Sequence, residues 1–234
     1  MRFKDQDKLK AITFSYDDGV TQDIRLIELL NKYNLKCTFN LNSETLGTRG
    51  TLKREGQRIA HYKIHPKDIK SIYDGHEIAV HTLTHPNLTT LDKEEIIHQV
   101  EQDRINLSEL TGYEVVGMAY PCGGVNNDDR VANIIKNNTG VKYSRTITTT
   151  DSFVLQDNLY RFNPNVYHLE FDRLMELGKR FIDLETTSPK IFYIWGHSYE
   201  MDYHPEYWLK LEEFFKLISN KSDIFYGTNK EVLL

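Results

Sequence analysis

Cysteine is scarce in this chain. Cys37 and Cys122 are its only two, and they stand far apart, so a disulfide framework is not expected and two reduced thiols are. Long hydrophobic runs are missing, and nothing approaches the roughly 20 apolar residues of a membrane-crossing helix. No block of like charge occurs, and a net charge of -5 is mild for 234 residues. That argues against a nucleic-acid-binding stripe and against a charged disordered tail. Repeats, low-complexity stretches and linkers are absent too, so one domain over residues 1–234 is the economical expectation. The N-terminal lead MRFKDQDKLK has no apolar centre of the signal-peptide kind. As written, the expected location is cytoplasmic, and extracellular only if the N-terminus was trimmed.

What the chain does have is 39% hydrophobic residues, enough for a sizeable core, arranged as strand then helix. Strands are expected at 10–16, 36–41, 77–81, 115–120, 141–147, 190–195 and 224–226. Thr21 is placed to cap a helix with apolar positions Ile24, Ile27, Leu30 and Tyr33. Residues 42–63 are polar, contain Gly47, Gly50 and Gly56, and are expected to be a long loop. Pro66 opens a helix to about Tyr73. Asp92 with Glu95 starts a longer one, striped by Ile96, Val100, Leu107 and Leu110 and stopped at Gly112. Further helices are expected at 128–136, 172–184 and 205–219, with an irregular stretch at 151–166 and a short strand near Tyr160. The alternation predicts a parallel sheet, doubly wound or closed as a barrel.

The unusual polar clusters all follow predicted strands. Asp17 and Asp18 end the first, His81 and His85 follow the 77–81 strand, and Pro121-Cys122-Gly123 follows the 115–120 strand. His197 follows the 190–195 strand. In parallel α/β architectures those ends share the face on which active sites are built. Adjacent ionised carboxylates repel, and Asp-Asp-Gly is either a solvated turn or half of a cation site. Two histidines four residues apart, taken with one carboxylate, make a usual catalytic metal set.

"FSYDDG", "HTLTH", an altered "YPCGG" and "WGH" resemble, in this order, the first, second, third and fifth motifs of the polysaccharide deacetylases with the NodB homology domain, carbohydrate esterase family 4. The resemblance implies a distorted (β/α)7 barrel. It implies Asp18, His81 and His85 as ligands of a divalent metal, zinc first and cobalt or nickel next. It implies Asp17 as general base, His197 as general acid, and the Cys122 backbone N–H as an oxyanion donor, with the Cys122 thiol not a nucleophile. The implied activity is metal-dependent removal of acetyl groups from an N- or O-acetylated sugar or oligosaccharide, with no nucleic acid or membrane span involved and the oligomeric state open. The alternatives are a metal-independent amide or imide hydrolase of the allantoinase-related type, and a degenerate barrel that binds glycans without turnover.

Two departures stand out. The family's third-motif arginine is replaced by Ala119, and the fourth motif is reduced at most to Asp151 with Phe153. Arg145 in "YSRTI" is the candidate substitute for orienting Asp17, the competing expectation being that it points outward to a surface acid; Arg161 is second. Glu200 is placed to keep His197 charged. Tyr199 and Tyr203 are candidate sugar platforms, whereas Tyr193, Trp195 and Trp208 are expected in the core. His61, His65, His76 and His98 are expected to be surface or structural, and His168 and His204 to be near the mouth at most.

Overall fold

The computed structural model describes residue 3, residues 8–54 and residues 56–234. Residues 1, 2 and 4–7 of the N-terminal lead lie outside the described residues. The strands are β1 (Lys10–Asp17), β2 (Cys37–Leu41), β3 (Arg49–Arg54), β4 (Gln57–Tyr62), β5 (Glu77–Val80), β6 (Gly117–Ala119), β7 (Tyr143–Arg145), β8 (Val166–Tyr167), β9 (Lys190–Gly196) and β10 (Ile224–Tyr226). The helices are α1 (Asp23–Lys32), α2 (Ile69–Ile72), α3 (Lys93–Ile97), α4 (Asp103–Thr111), α5 (Asp129–Asn138), α6 (Phe171–Ile182), α7 (Tyr207–Ile218) and α8 (Asn229–Leu233).

All eight residues of β1 are buried, as a central parallel strand requires. The order across the sheet is β7-β6-β5-β2-β1-β9-β8. On its other side β1 is shared: β10 pairs with Lys10–Ile12 and β2 with Phe14–Asp17, all parallel. The two ends of the sheet meet through the segment entering β8. The Phe162 N–H donates to Ser144 O, and the Thr146 N–H donates to Phe162 O, both at 2.9 Å. Asn165 N–H then donates to Tyr193 O of β9 at 2.8 Å. The result is a curled, distorted (β/α)7-type barrel, with helices packed outside through residues such as Leu26, Leu30, Phe214 and Phe215. No helix among the described residues is long and apolar enough to cross a membrane.

Several local expectations need correction. The supposed loop at 42–63 holds an antiparallel hairpin, β3 with β4, in register from Arg49↔Tyr62 to Arg54↔Gln57. Most of its residues are exposed, so no buried face imprints the alternation by which strands are recognised. Gln22, not Thr21, precedes α1, and Leu26 rather than the exposed Ile24 faces the core. Near Tyr160 the chain makes a 3-10 turn, Leu159–Arg161, instead of a strand. The Asp92 helix start is as expected, with its carboxylate accepting from the Glu95 N–H at 2.9 Å, and Gly112 ends α4 at φ 80°. Between α3 and α4 lies a π-helical turn, His98–Gln102.

Candidate active site and metal centre

At the end of β1 the backbone leaves the strand through left-handed conformations, φ 84° at Asp18 and 62° at Gly19. Along a strand, successive side chains point to opposite faces. The turn instead brings both carboxylates into one mouth, at the cost of a conformation that non-glycine residues rarely adopt. A Cβ at Gly19 would also meet Leu41 Cδ2 at 2.6 Å. Thr82 and His85, at φ 69° and 65°, make a second such turn after β5, and Cys122, at φ 69°, a third after β6. Backbone strain of this kind concentrates at functional sites.

These turns and the end of β9 surround a cavity of about 210 Å³ lined by Asp17, Asp18, His81, His85, Tyr120, Cys122, Gly123, Ile147, Trp195, His197 and Tyr199. One ligand atom each from Asp18, His81 and His85 lies within 4.8 Å of the others, a set that could hold a metal ion. The donor chemistry fits. His81 Nδ1 sits 2.9 Å from the Ala119 carbonyl, which fixes the proton on Nδ1 and leaves Nε2 for a cation. Burial pushes the His81 imidazole down to about 4 despite the nearby Asp17 carboxylate, so it is neutral at physiological pH, as a ligand must be. Burial likewise lowers His85. The Asp18 carboxyl is the reverse case: burial would raise it, but the His61 hydrogen bond and the Lys63 ammonium hold it well below its usual range.

Asp17 is buried and held on both oxygens. Arg145 Nη2 donates to Oδ1 at 2.6 Å and to Oδ2 at 2.5 Å, and Asn40 Nδ2 donates to Oδ1 at 2.8 Å. Arg145 is itself fully buried. Its Nε donates to Ser15 Oγ and its Nη1 to the Thr146 carbonyl, each at 3.1 Å, and its guanidinium lies 4.7 Å from the Trp195 ring centroid. It reaches inward, not to a surface acid. Burial pushes the Asp17 carboxyl up, but Arg145 above all, with His81 and His197, brings it below the ordinary aspartate value. Arg161 is elsewhere, bonded to Asn127 and Asp129.

His197 Nε2 is 3.9 Å from Asp17 Oδ2, and its Nδ1 is 3.0 Å from Glu200 Oε2. Burial opposes the charged imidazole, but the Glu200 carboxylate outweighs burial and lifts it to about 9. Glu200 also meets His168 Nε2 at 2.9 Å, the Tyr167 hydroxyl and, at 3.2 Å, Arg54 Nη1. His168 is therefore fully buried behind His197 and Glu200, not at the mouth. Asp151, the trace of a fourth motif, is an exposed partner of Arg173.

Cys122 Sγ lies 3.8 Å from His85 Nδ1 and 3.4 Å from the His85 carbonyl, and burial raises its thiol, so it is not primed as a thiolate. Among the described residues the Cys122 N–H has no protein acceptor. Tyr199 lines the cavity, against His197 and His61. Tyr203 does not: it is buried, with the Arg54 guanidinium 5.8 Å from its ring centroid.

Two residues near Asp18 are not foreseen there from the sequence: His61 is expected to be surface or structural, and Lys63 is not singled out. His61 Nε2 stands 3.3 Å from Asp18 Oδ2, so it belongs to the site and not to the surface. Lys63 Nζ donates to the Asp18 carbonyl at 2.6 Å and stands 3.3 Å from Oδ1. His61 lies in the last strand of the unforeseen hairpin and Lys63 follows it, and neither carries a motif.

Comparisons with known proteins identify the family and the fold. The profile of the polysaccharide deacetylase family matches residues 4–143. The peptidoglycan-N-acetylglucosamine deacetylase PgdA of Listeria monocytogenes is 28% identical over 120 residues, 50% of this chain and 22% of that protein. Chitin deacetylase 1 of Cryptococcus neoformans is 33% identical over 119 residues, 50% of this chain and 22% of that protein. The chain thus matches less than a quarter of the length of these relatives. Among solved structures, a carbohydrate esterase family 4 pseudoenzyme from Bacillus anthracis superposes with TM-score 0.56 at 19% identity, covering 97% of this chain and 66% of that one. The Streptococcus pyogenes deacetylase PplD superposes with TM-score 0.52 at 18% identity, covering 64% and 62%. With its family profile, its barrel and its strand-end motifs in agreement, the chain belongs to the polysaccharide deacetylase family.

Proposed function

We propose that this chain is one catalytic domain of a metal-dependent hydrolase that removes acetyl groups from an acetylated carbohydrate, with the amide of an N-acetylated sugar as first choice. The observation that carries the reading is a single cavity with an Asp18, His81 and His85 set on one side and, beside it, an ionised Asp17 and a charged His197. Asp18, His81 and His85 would hold the metal, zinc first, since two imidazoles with a carboxylate suit it. When bound, such a cation polarises the acetyl carbonyl and acidifies a water.

The chain's own groups supply the rest. Asp17, held in place by Arg145, takes a proton from the attacking water. The Cys122 N–H donates to the oxyanion that forms on the former carbonyl oxygen; such a donor is typically worth about 3 kcal/mol. His197, kept protonated by Glu200, gives its proton to the leaving nitrogen, and the acetyl group departs as acetate. Tyr199 offers a ring face to the sugar. Named relatives act on peptidoglycan N-acetylglucosamine, peptidoglycan N-acetylmuramic acid and chitin, which supports an acetamido sugar as substrate.

Acetate release from a panel of N-acetylated oligosaccharides and O-acetylated sugars, with and without a chelator, tests the reading. Chelator-sensitive release is expected, restored by added zinc. Release that a chelator leaves untouched would favour a metal-independent hydrolase. No release from any member, by metal-loaded protein, would leave a glycan-binding barrel.

A further inference from the structure

The two carboxylates at the end of β1 each have a cation of their own. Arg145 spans Asp17 at 2.6 and 2.5 Å. Lys63 stands against Asp18, 3.3 Å from Oδ1, with its side chain only 8% exposed. The repulsion that would make a divalent cation necessary between adjacent carboxylates is therefore already offset, one for one, by the protein itself. Lys63 is not there by chance placement of a flexible tail. Its backbone bridges Val20, its N–H donates to Thr48 O at 2.9 Å, and the next N–H, of Ile64, donates to Gly19 O at 2.9 Å. The ammonium itself donates to the Asp18 carbonyl at 2.6 Å.

Oδ1 is the Asp18 oxygen that Lys63 approaches, and also the one 3.8 Å from His85 Nε2. The other oxygen, Oδ2, faces His61 Nε2 at 3.3 Å. Lys63 thus sits on the ligand's metal-facing side, where its positive charge opposes any cation held by Asp18, His81 and His85. We propose that Lys63 is a built-in counter-cation of Asp18, a positioning residue that holds the metal-free site together and weakens its grip on the metal, so that the ion is exchangeable instead of permanent. The inference rests on the proposed metal site. It also predicts opposite changes in two properties, which plain structural support by Lys63 would not produce. Removing the charge should weaken the metal-free protein, where two adjacent carboxylates would share one cation, and strengthen metal binding.

The test is titration of the chelator-stripped full chain with Zn2+ alone, using a competing chelator, alongside thermal unfolding without metal. Lys63→Gln keeps a donor for the Asp18 carbonyl without the charge; Lys63→Met removes both; Lys63→Arg keeps the charge. The expected result is Zn2+ binding at least tenfold tighter in Lys63→Gln and Lys63→Met, near wild type in Lys63→Arg, and lost when His81→Ala is added. The metal-free Tm should fall in the two neutral variants. His81-dependent binding in wild type that is unchanged or weaker in Lys63→Gln would overturn the inference while leaving the metal site standing. Absence of His81-dependent binding in wild type and in both neutral variants would remove the metal site and the inference together.

Discussion

Replacing Arg145 by methionine removes a cation from a fully buried pair and leaves the Asp17 carboxylate beside a hole of roughly its own size. Removing one partner of a buried ion pair typically costs about 3–5 kcal/mol, because the remaining charge keeps its desolvation penalty and loses its partner. Two features favour the upper half of that range. Arg145 contacts both Asp17 oxygens, and its Nε and Nη1 bonds to Ser15 Oγ and the Thr146 carbonyl are lost as well. Asn40 still donates to Oδ1 at 2.8 Å, so the carboxylate is not left bare. The sign with pH follows from Asp17 being held below its ordinary value. The pair's stabilisation is present above the unfolded value of about 3.9 and is lost as pH falls through the lower folded value, so wild type and variant should converge on acidification. Urea unfolding at several pH values measures this, and a double-mutant cycle with Asp17→Asn isolates the pair. In the same variant, burial acts on Asp17 without its main opponent, so the acid limb of kcat/KM should move to higher pH. The kcat should fall far more than metal affinity does. An Arg145→Met protein with wild-type urea midpoint and an unmoved acid limb would refute the reasoning.

Glu200→Gln should release His197 from about 9 toward its ordinary value near 6.5, dragging the alkaline limb of kcat/KM down with it. The same pair stabilises the fold fully below that ordinary value and loses its contribution as pH rises through about 9, so the variant's stability deficit should shrink in alkali. Gly196→Ala would set a Cβ 2.3 Å from the His168 ring, which is buried against Tyr16 and Glu200; a loss of about 1–3 kcal/mol in urea unfolding and reduced kcat are expected. Cys122→Ser should keep most turnover and all metal, because only the backbone N–H at that position is used; loss of activity comparable to Asp17→Asn would contradict this.

The barrel was legible because the strands of the main sheet other than the two-residue β8 lie in short, largely apolar runs flanked by helix signals, and because the polar residues that break the pattern fall at strand ends. The first carboxylate pair and the two histidines could be placed on one face from that order alone. Arg145 could be nominated for the same reason: its strand end had to face the mouth, although its direction depended on packing against Ser15 and Trp195. The hairpin was not legible. Most of its residues are exposed, so its hydrophobic pattern is that of a loop. With it were lost His61 and Lys63, whose importance depends on Thr21 N–H pairing with Tyr62 O and Ile64 N–H with Gly19 O across more than forty residues. The placement of His168 was hidden for another reason: a fully buried, hydrogen-bonded histidine looks, in sequence, like any other.

The most direct test of the central claim compares metal content and acetate release in Asp17→Asn and His81→Ala, side by side with wild type. Asp17 is assigned the proton and His81 the metal, so the two losses should separate. The account predicts that Asp17→Asn keeps wild-type metal and loses nearly all acetate release, while His81→Ala loses both. Acetate release undiminished in Asp17→Asn, or wild-type metal occupancy in His81→Ala, would contradict it.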